Sequence, residues 1–214
     1  MINKYIRTIL MVVLTIISYI SVYGESSTSE IRKLLDDVNE YLAEKPDSAF
    51  SALNALEIPE SEDESTMAFY AILHARAEYA TTDTIKSDSL LQKAIKYYNG
   101  ERSRRSSLAY YYLGCYYFGT DYHKASYAFQ RSIDLIPDGN DDHKGRACHA
   151  LGSCYYANGN FKEGNKAYRT ALALLDEKAG EGTYKLCQDI KMQLNNDAAE
   201  QRAFIEFTLF VTFI

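Results

Sequence analysis

No tryptophan, no Cys-x2-Cys pair, no Gly-x-Ser-x-Gly and no concentrated basic face occur in this chain of 214 residues. Without cysteines paired at ligand spacing, a structural zinc site has no basis. Cys115, Cys148, Cys154 and Cys187 stand apart, and His74, His123, His143 and His149 share no ligand spacing. Without a nucleophile elbow, Ser153 and Cys154 behind Gly152 lack the frame that covalent catalysis requires. Gly159 to Lys166 comes one residue from a phosphate-binding loop, but Asn165 breaks the motif and no strand precedes it. Asp138-Gly139-Asn140-Asp141-Asp142 begins like a calcium loop. His143 then stands where the turn needs glycine, and His149 where a bidentate glutamate belongs. The balance of 23 Lys+Arg against 29 Asp+Glu gives −6, the wrong sign for a nucleic-acid binder. Arg102, Arg104 and Arg105 form the single basic cluster, which reads as a solvated loop. The expectation is a protein that is not an enzyme, with no cofactor, no metal and no nucleic-acid partner.

What the chain does hold is tyrosine, nineteen of them, and helical periodicity. Residues 1–24 read as lying outside the fold. Lys4 and Arg7 are followed by an apolar stretch from Ile9 to Ile20, and Val22-Tyr23-Gly24 offers a cleavage site. A bacterial-type export signal is expected. An uncleaved membrane anchor is the alternative, since Ile6 to Tyr23 reaches the roughly 17–25 residues of a spanning helix. No cysteine follows the apolar run, which disfavours a lipid anchor. Export points to the periplasm or cell envelope, with inner-membrane anchoring as the variant reading. That compartment permits disulfides, and four cysteines allow three pairings. Cys115, Cys148 and Cys154 fall inside expected helices, however, where a thiol acts as a small hydrophobe, so buried thiols are expected.

Ser27 and Glu30 have capping-box spacing, and Ile31, Leu34, Leu35, Val38 and Leu42 recur at helical intervals. Pro46 opens a second helix whose apolar side is Ala49, Phe50, Leu53 and Leu56. The acidic run Glu60 to Glu64 suits the positive end of a third helix, about 66–80. A fourth, about 87–98, stops at Asn99-Gly100. Leu73, Leu91 and Ala94 fall where packing residues belong.

The clearest pattern is written twice. Tyr110, Leu113, Gly114 and Tyr117 are followed by Ala125, Phe129, Ser132 and Pro137. Cys148, Leu151, Gly152 and Tyr155 are followed by Gly164, Tyr168 and Ala171. The spacing aromatic-x2-Leu-Gly-x2-Tyr, then small-x3-aromatic, resembles the tetratricopeptide repeat, a helix–turn–helix unit of about 34 residues. Here the two glycines are 38 apart, and the surplus falls in the loop at 138–142. Asp121 and Asn160 stand ready to cap the second helices. His74 takes the glycine's place in a degenerate earlier unit. Pro46-Asp47-Ser48-Ala49 is also similar to openings in exported bacterial repeat proteins, including sensory regions of membrane signalling proteins.

The resemblance implies an all-α, right-handed α-solenoid of antiparallel helix pairs, about ten helices over residues 25–202, with its clearest repeats at 107–137 and 145–176. Gly114 and Gly152 would mark the helix crossings. Leu113, Tyr117 and Phe129 would form one layer, and Leu151, Tyr155 and Tyr168 the next. It implies a non-catalytic scaffold binding a protein or peptide along a concave face. Carried over, that face is Tyr111, Tyr112, Cys115 and Phe118, then Arg146, His149, Ser153 and Tyr156, with Tyr79 from the degenerate unit. The Lys and Asn set by which some relatives clamp a terminal carboxylate is absent. The competing expectation is a sensory region of a membrane-bound signalling or transcription-regulatory protein, truncated at its C-terminus. The tail 203–214 bears on it, being apolar apart from Glu206, Thr208 and Thr212. It docks on the last helices, meets a partner, or begins a membrane span, so membrane association through either end stays open.

Overall fold

The computed structural model describes residues 30–58, 63–175 and 180–212, with side chains through residue 203. The expected export segment, Ser27 of the capping box and Glu60 to Glu62 lie outside the described residues. Among those described, every regular element is an α-helix. They are α1 (30–41), α2 (Pro46–Ala55), α3 (Glu64–Thr82), α4 (Ser89–Tyr98), α5 (Arg104–Tyr117), α6 (Tyr122–Leu135), α7 (Asp141–Ala157), α8 (Phe161–Leu174) and α9 (Glu181–Thr212). The chain divides into two units. The first runs to Ile85 and includes Ser89–Tyr97; the second comprises Lys86–Asp88 and everything from Tyr98 onward.

In the first unit the periodic residues Ile31, Leu35, Val38 and Leu42 meet Ala49 and Leu53 of α2 and Phe69, Leu73 and Ala77 of α3. Pro46 opens α2 where its missing N–H leaves no hydrogen bond unmade. Asp63 caps α3, its carboxylate accepting from the Thr66 N–H at 3.0 Å. Arg32 ties α1 to α3, lying 4.9 Å over the Phe69 ring and reaching the Ser65 and Thr66 hydroxyls. His74 fills the space a glycine would have left. Its ring is 5.4 Å from Phe50, edge-on, and its Nε2 is 3.1 Å from Asn54 Oδ1. Leu91 and Ala94 of α4 are fully buried. That helix ends at Asn99 and Gly100, both left-handed (φ 45° and 77°), as the pair predicts.

In the second unit each helix from α5 to α9 packs on the next in sequence, a succession consistent with an α-solenoid. Gly114 and Gly152 sit where rings of the following helix press on the backbone. A Cβ at Gly114 would lie 2.5 Å from Phe129 Cε1, and one at Gly152 2.5 Å from Tyr168 Cδ1. Leu151 differs from expectation: it packs with Ala125 and Phe129 of α6 and with Cys154. It joins one hairpin to the preceding one while Tyr155 and Ala167 of its own hairpin pack against the same cluster. Asp121 and Asn160 cap α6 and α8 through the Lys124 and Glu163 N–H groups, at 3.0 and 3.4 Å. The loop expected at 138–142 is shorter, because Asp141 and Asp142 already belong to α7. Their charges favour the positive end of its dipole. The tail is no separate segment in its backbone either, since α9 is one helix of 32 residues through Thr212. Among the described residues no helix is long and apolar enough to cross a membrane. No disulfide joins the four cysteines, three of which are buried and Cys115 half-buried. Burial pushes the Cys148 thiol up, and the Cys154 thiol up to about 11, so both stay protonated and unreactive.

Candidate functional site

The residues that the repeat resemblance assigns to a binding face fall in both units. Tyr79 is half-buried on α3 of the first; the other eight belong to the second. Tyr112 is buried within α5, only 8% exposed. Tyr111 meets Tyr112, Phe129 and His143 edge-on at 5.2, 5.7 and 5.9 Å, and Cys115 lies beside it against the Phe129 cluster. Phe118, the C-cap of α5, is 43% exposed.

On α7 the assigned residues come together. Tyr168 of α8 lies between His149 and Tyr156, with centroids 5.5 and 5.1 Å away and planes within 21° and 23°. Ser153 Oγ donates to the His149 carbonyl and shares a hydrogen bond with the Tyr168 hydroxyl, each at 3.1 Å. Tyr156 donates to Asn165 Oδ1, and Asn165 in turn donates to Asp197 of α9, both at 2.6 Å. Arg146 reaches Thr183 of α9 at 2.8 Å while paired with Asp142 at 2.9 Å. The face is thus a network joining α7, α8 and α9. Burial lowers the His149 pKa and raises those of Tyr156 and Tyr168, so imidazole and phenols are neutral near pH 7.

A second polar cluster escaped sequence reasoning. Ser107 Oγ lies 3.0 Å from the Ser132 hydroxyl and carbonyl and 2.9 Å from His143 Nε2. A serine within hydrogen-bond reach of histidine is the first requirement of a nucleophile–base pair. Here Ser107 and Ser132 are completely buried, so no substrate carbonyl can approach, and the cluster instead ties α5, α6 and α7 together. Burial, helped by Arg104 and Arg146 and opposed by Asp142, pushes His143 down to about 4.

Two further residues belong with the exposed aromatics. Phe118 packs edge-on against Tyr122 at 5.7 Å, and Tyr156 against Phe161 at 5.4 Å. Phe118 and Phe161 both keep open edges, Phe161 being 51% exposed. Tyr122 and Phe161 are 39 apart, as are Ala125 and Gly164, so the repeat itself carried the signal for this pair. No protein-family model, curated protein or solved structure matches the chain.

Proposed function

We propose that the chain is a non-catalytic protein-interaction module of tetratricopeptide type, exported to the cell envelope, whose α5 and α7 face receives a peptide or protein partner. The observation that carries this reading is the pair of glycines 38 residues apart, each pressed by an aromatic ring of the next helix. That register is what repeated hairpins need in order to stack, and stacked hairpins bury one side of each helix while offering the other to partners. The open aromatic edges of Phe118 and Phe161 supply rigid apolar contacts at low entropic cost, the usual anchors of a protein interface. Polar groups that line the face, Arg146, His149 and Ser153, add directional contacts at its margin.

Cross-linking of the intact chain in envelope extract, followed by mass spectrometry, tests the proposal. Cross-links from a defined partner to α5 and α7, lost in Phe118→Ala with thermal unfolding unchanged, are the expected result. Cross-links scattered over the surface and indifferent to that substitution would refute it.

A further inference from the structure

On the other side of α7 from His149 and Tyr156, a groove of about 220 Å³ runs between α6 and α8. Its floor is apolar: Ile133, Leu151, Tyr155 and Ala167. Its rim carries Gln130, Glu163 and Lys166. Lys166 also belongs to a shallow depression along α8 lined by Lys162 and Arg169. These three cations are exposed. Among the described residues none has an ion pair, whereas Arg131 and Arg146 of the flanking helices are matched by Asp134 and Asp142. Three cations on successive turns of α8 thus border one apolar slot.

We infer that this groove and its basic shoulder bind an extended acidic peptide carrying an apolar side chain. The slot lies below the roughly 300–1,000 Å³ of small-molecule pockets and suits one aliphatic side chain. Lys162 and Lys166 are one helical turn apart, about 6 Å along the axis. Alternate carboxylates of an extended strand are about 7 Å apart, so successive ones meet successive lysines. Gln130 and Glu163 accept backbone N–H groups of the same strand. A phosphate backbone or a lipid headgroup layer offers no aliphatic side chain for the slot. The surface is distinct from the α5 and α7 face, so this inference stands or falls apart from that one.

Fluorescence anisotropy of the intact chain tests it. The labelled probe is a peptide in which glutamate alternates with serine around a central leucine. Saturable binding that weakens with salt is expected. The combined exposed substitutions Lys162→Glu, Lys166→Glu and Arg169→Glu should weaken it about tenfold or more, and Lys166→Arg should preserve it. Exchanging the probe's leucine for serine should also weaken it. Absence of saturable binding, or binding indifferent to charge reversal, overturns the inference. So does preference for vesicles of equimolar phosphatidylcholine and phosphatidylglycerol. A dimer in sedimentation velocity that charge reversal dissolves would assign the face to a second copy, and would overturn it equally.

Discussion

The hairpins α5–α6 and α7–α8 share a backbone register and differ in where they bury polarity. Gly114 and Gly152 are equivalent notches, each under a ring at the same place on the next helix, Phe129 in one and Tyr168 in the other. Around Phe129 the neighbours are Tyr111 and the Cys115 thiol. Around Tyr168 the equivalents are His149 and Ser153, so the added hydroxyl has a partner at 3.1 Å. The opposite holds one turn away. The first hairpin has the hydroxyl pair Ser107 and Ser132. The second has Gly145 and Ala171, with Leu175 closing onto the glycine. Each hairpin therefore holds one polar joint and one apolar joint, in exchanged positions. Register is a property of small residues at crossings, and the chemistry filling each layer is free to vary, with the layer hydroxyls of Ser107, Ser132 and Tyr168 each finding a partner.

The polar joint of the first hairpin gives the largest expected effect. Folded, His143 is pushed down to about 4 by burial; unfolded, it titrates near 6.5. The unfolded chain thus binds the extra proton first, and stability is complete above pH 6.5 and falls as pH drops toward 4. At 1.36 kcal/mol per unit the loss approaches ~3 kcal/mol. Burial depresses His149 in the same direction. Urea unfolding between pH 4 and 7 should show the slope, and His143→Gln should flatten most of it. A wild-type slope retained in His143→Gln would mean that the joint is not where the acid sensitivity lies.

Next come the notches themselves. Valine in place of either glycine overpacks the crossing, at about 1–3 kcal/mol. The comparison predicts that Gly152→Val costs more than Gly114→Val. Tyr168 is held on both faces by His149 and Tyr156 and tied through its hydroxyl, so it has nowhere to retreat. Phe129 carries no such tether. Denaturant midpoints of the two variants check the order, and equal losses would break the distinction drawn between the hairpins.

Much of this was legible in the chain. The helices, the caps at Asp121 and Asn160 and the stop at Asn99-Gly100 follow from local chemistry, which sequence displays directly, and the spacing of the written-twice pattern marked the glycine notches. The long-range polar pairs did not. Ser107 with His143, Arg146 with Thr183 and Asn165 with Asp197 join residues some 32 to 37 positions apart, and no spacing rule marks which hydroxyl or amide will meet which. The contact of Leu151 with the preceding hairpin was missed for a related reason. Repeat logic assigns a packing residue to its own hairpin, whereas helix geometry lets a neighbouring position bridge to the previous one. The assigned binding residues are a mixed case. The repeat resemblance put His149, Ser153 and Tyr156 along one side of α7, but gave no sign that α8 and α9 would engage them.

The hydroxyl of Tyr168 sharpens the contrast at smaller scale. Tyr168→Phe should cost about 1 kcal/mol, the net worth of one buried hydrogen bond, with Ser153 still bonded to the His149 carbonyl. Phe129→Tyr alone should be unfavourable, since the ring packs against a thiol. Combined with Cys115→Ser it should recover part of the loss, reproducing the second hairpin's chemistry in the first. A double-mutant cycle in urea measures the coupling, and additivity would show that the two layers are not interchangeable.

The smallest effect concerns another place where the hairpins differ in backbone space. Ala125 and Gly164 occupy equivalent positions on the second helices. Ala125 has room for its methyl because Phe118, the residue that would cover it, is turned outward. Tyr156 instead folds over Gly164, where a Cβ would lie 2.7 Å from its Cε2, and its bond to Asn165 holds it there. Ala125→Gly should therefore cost about 0.5–1 kcal/mol through lost helix propensity. Gly164→Ala, which propensity alone would make stabilising by a similar amount, should instead be neutral or destabilising. In a Tyr156→Ala background the sign should reverse, because the methyl then has space. If Gly164→Ala stabilises the otherwise unaltered chain, Tyr156 is mobile, and the network it anchors does not hold α7 against α8.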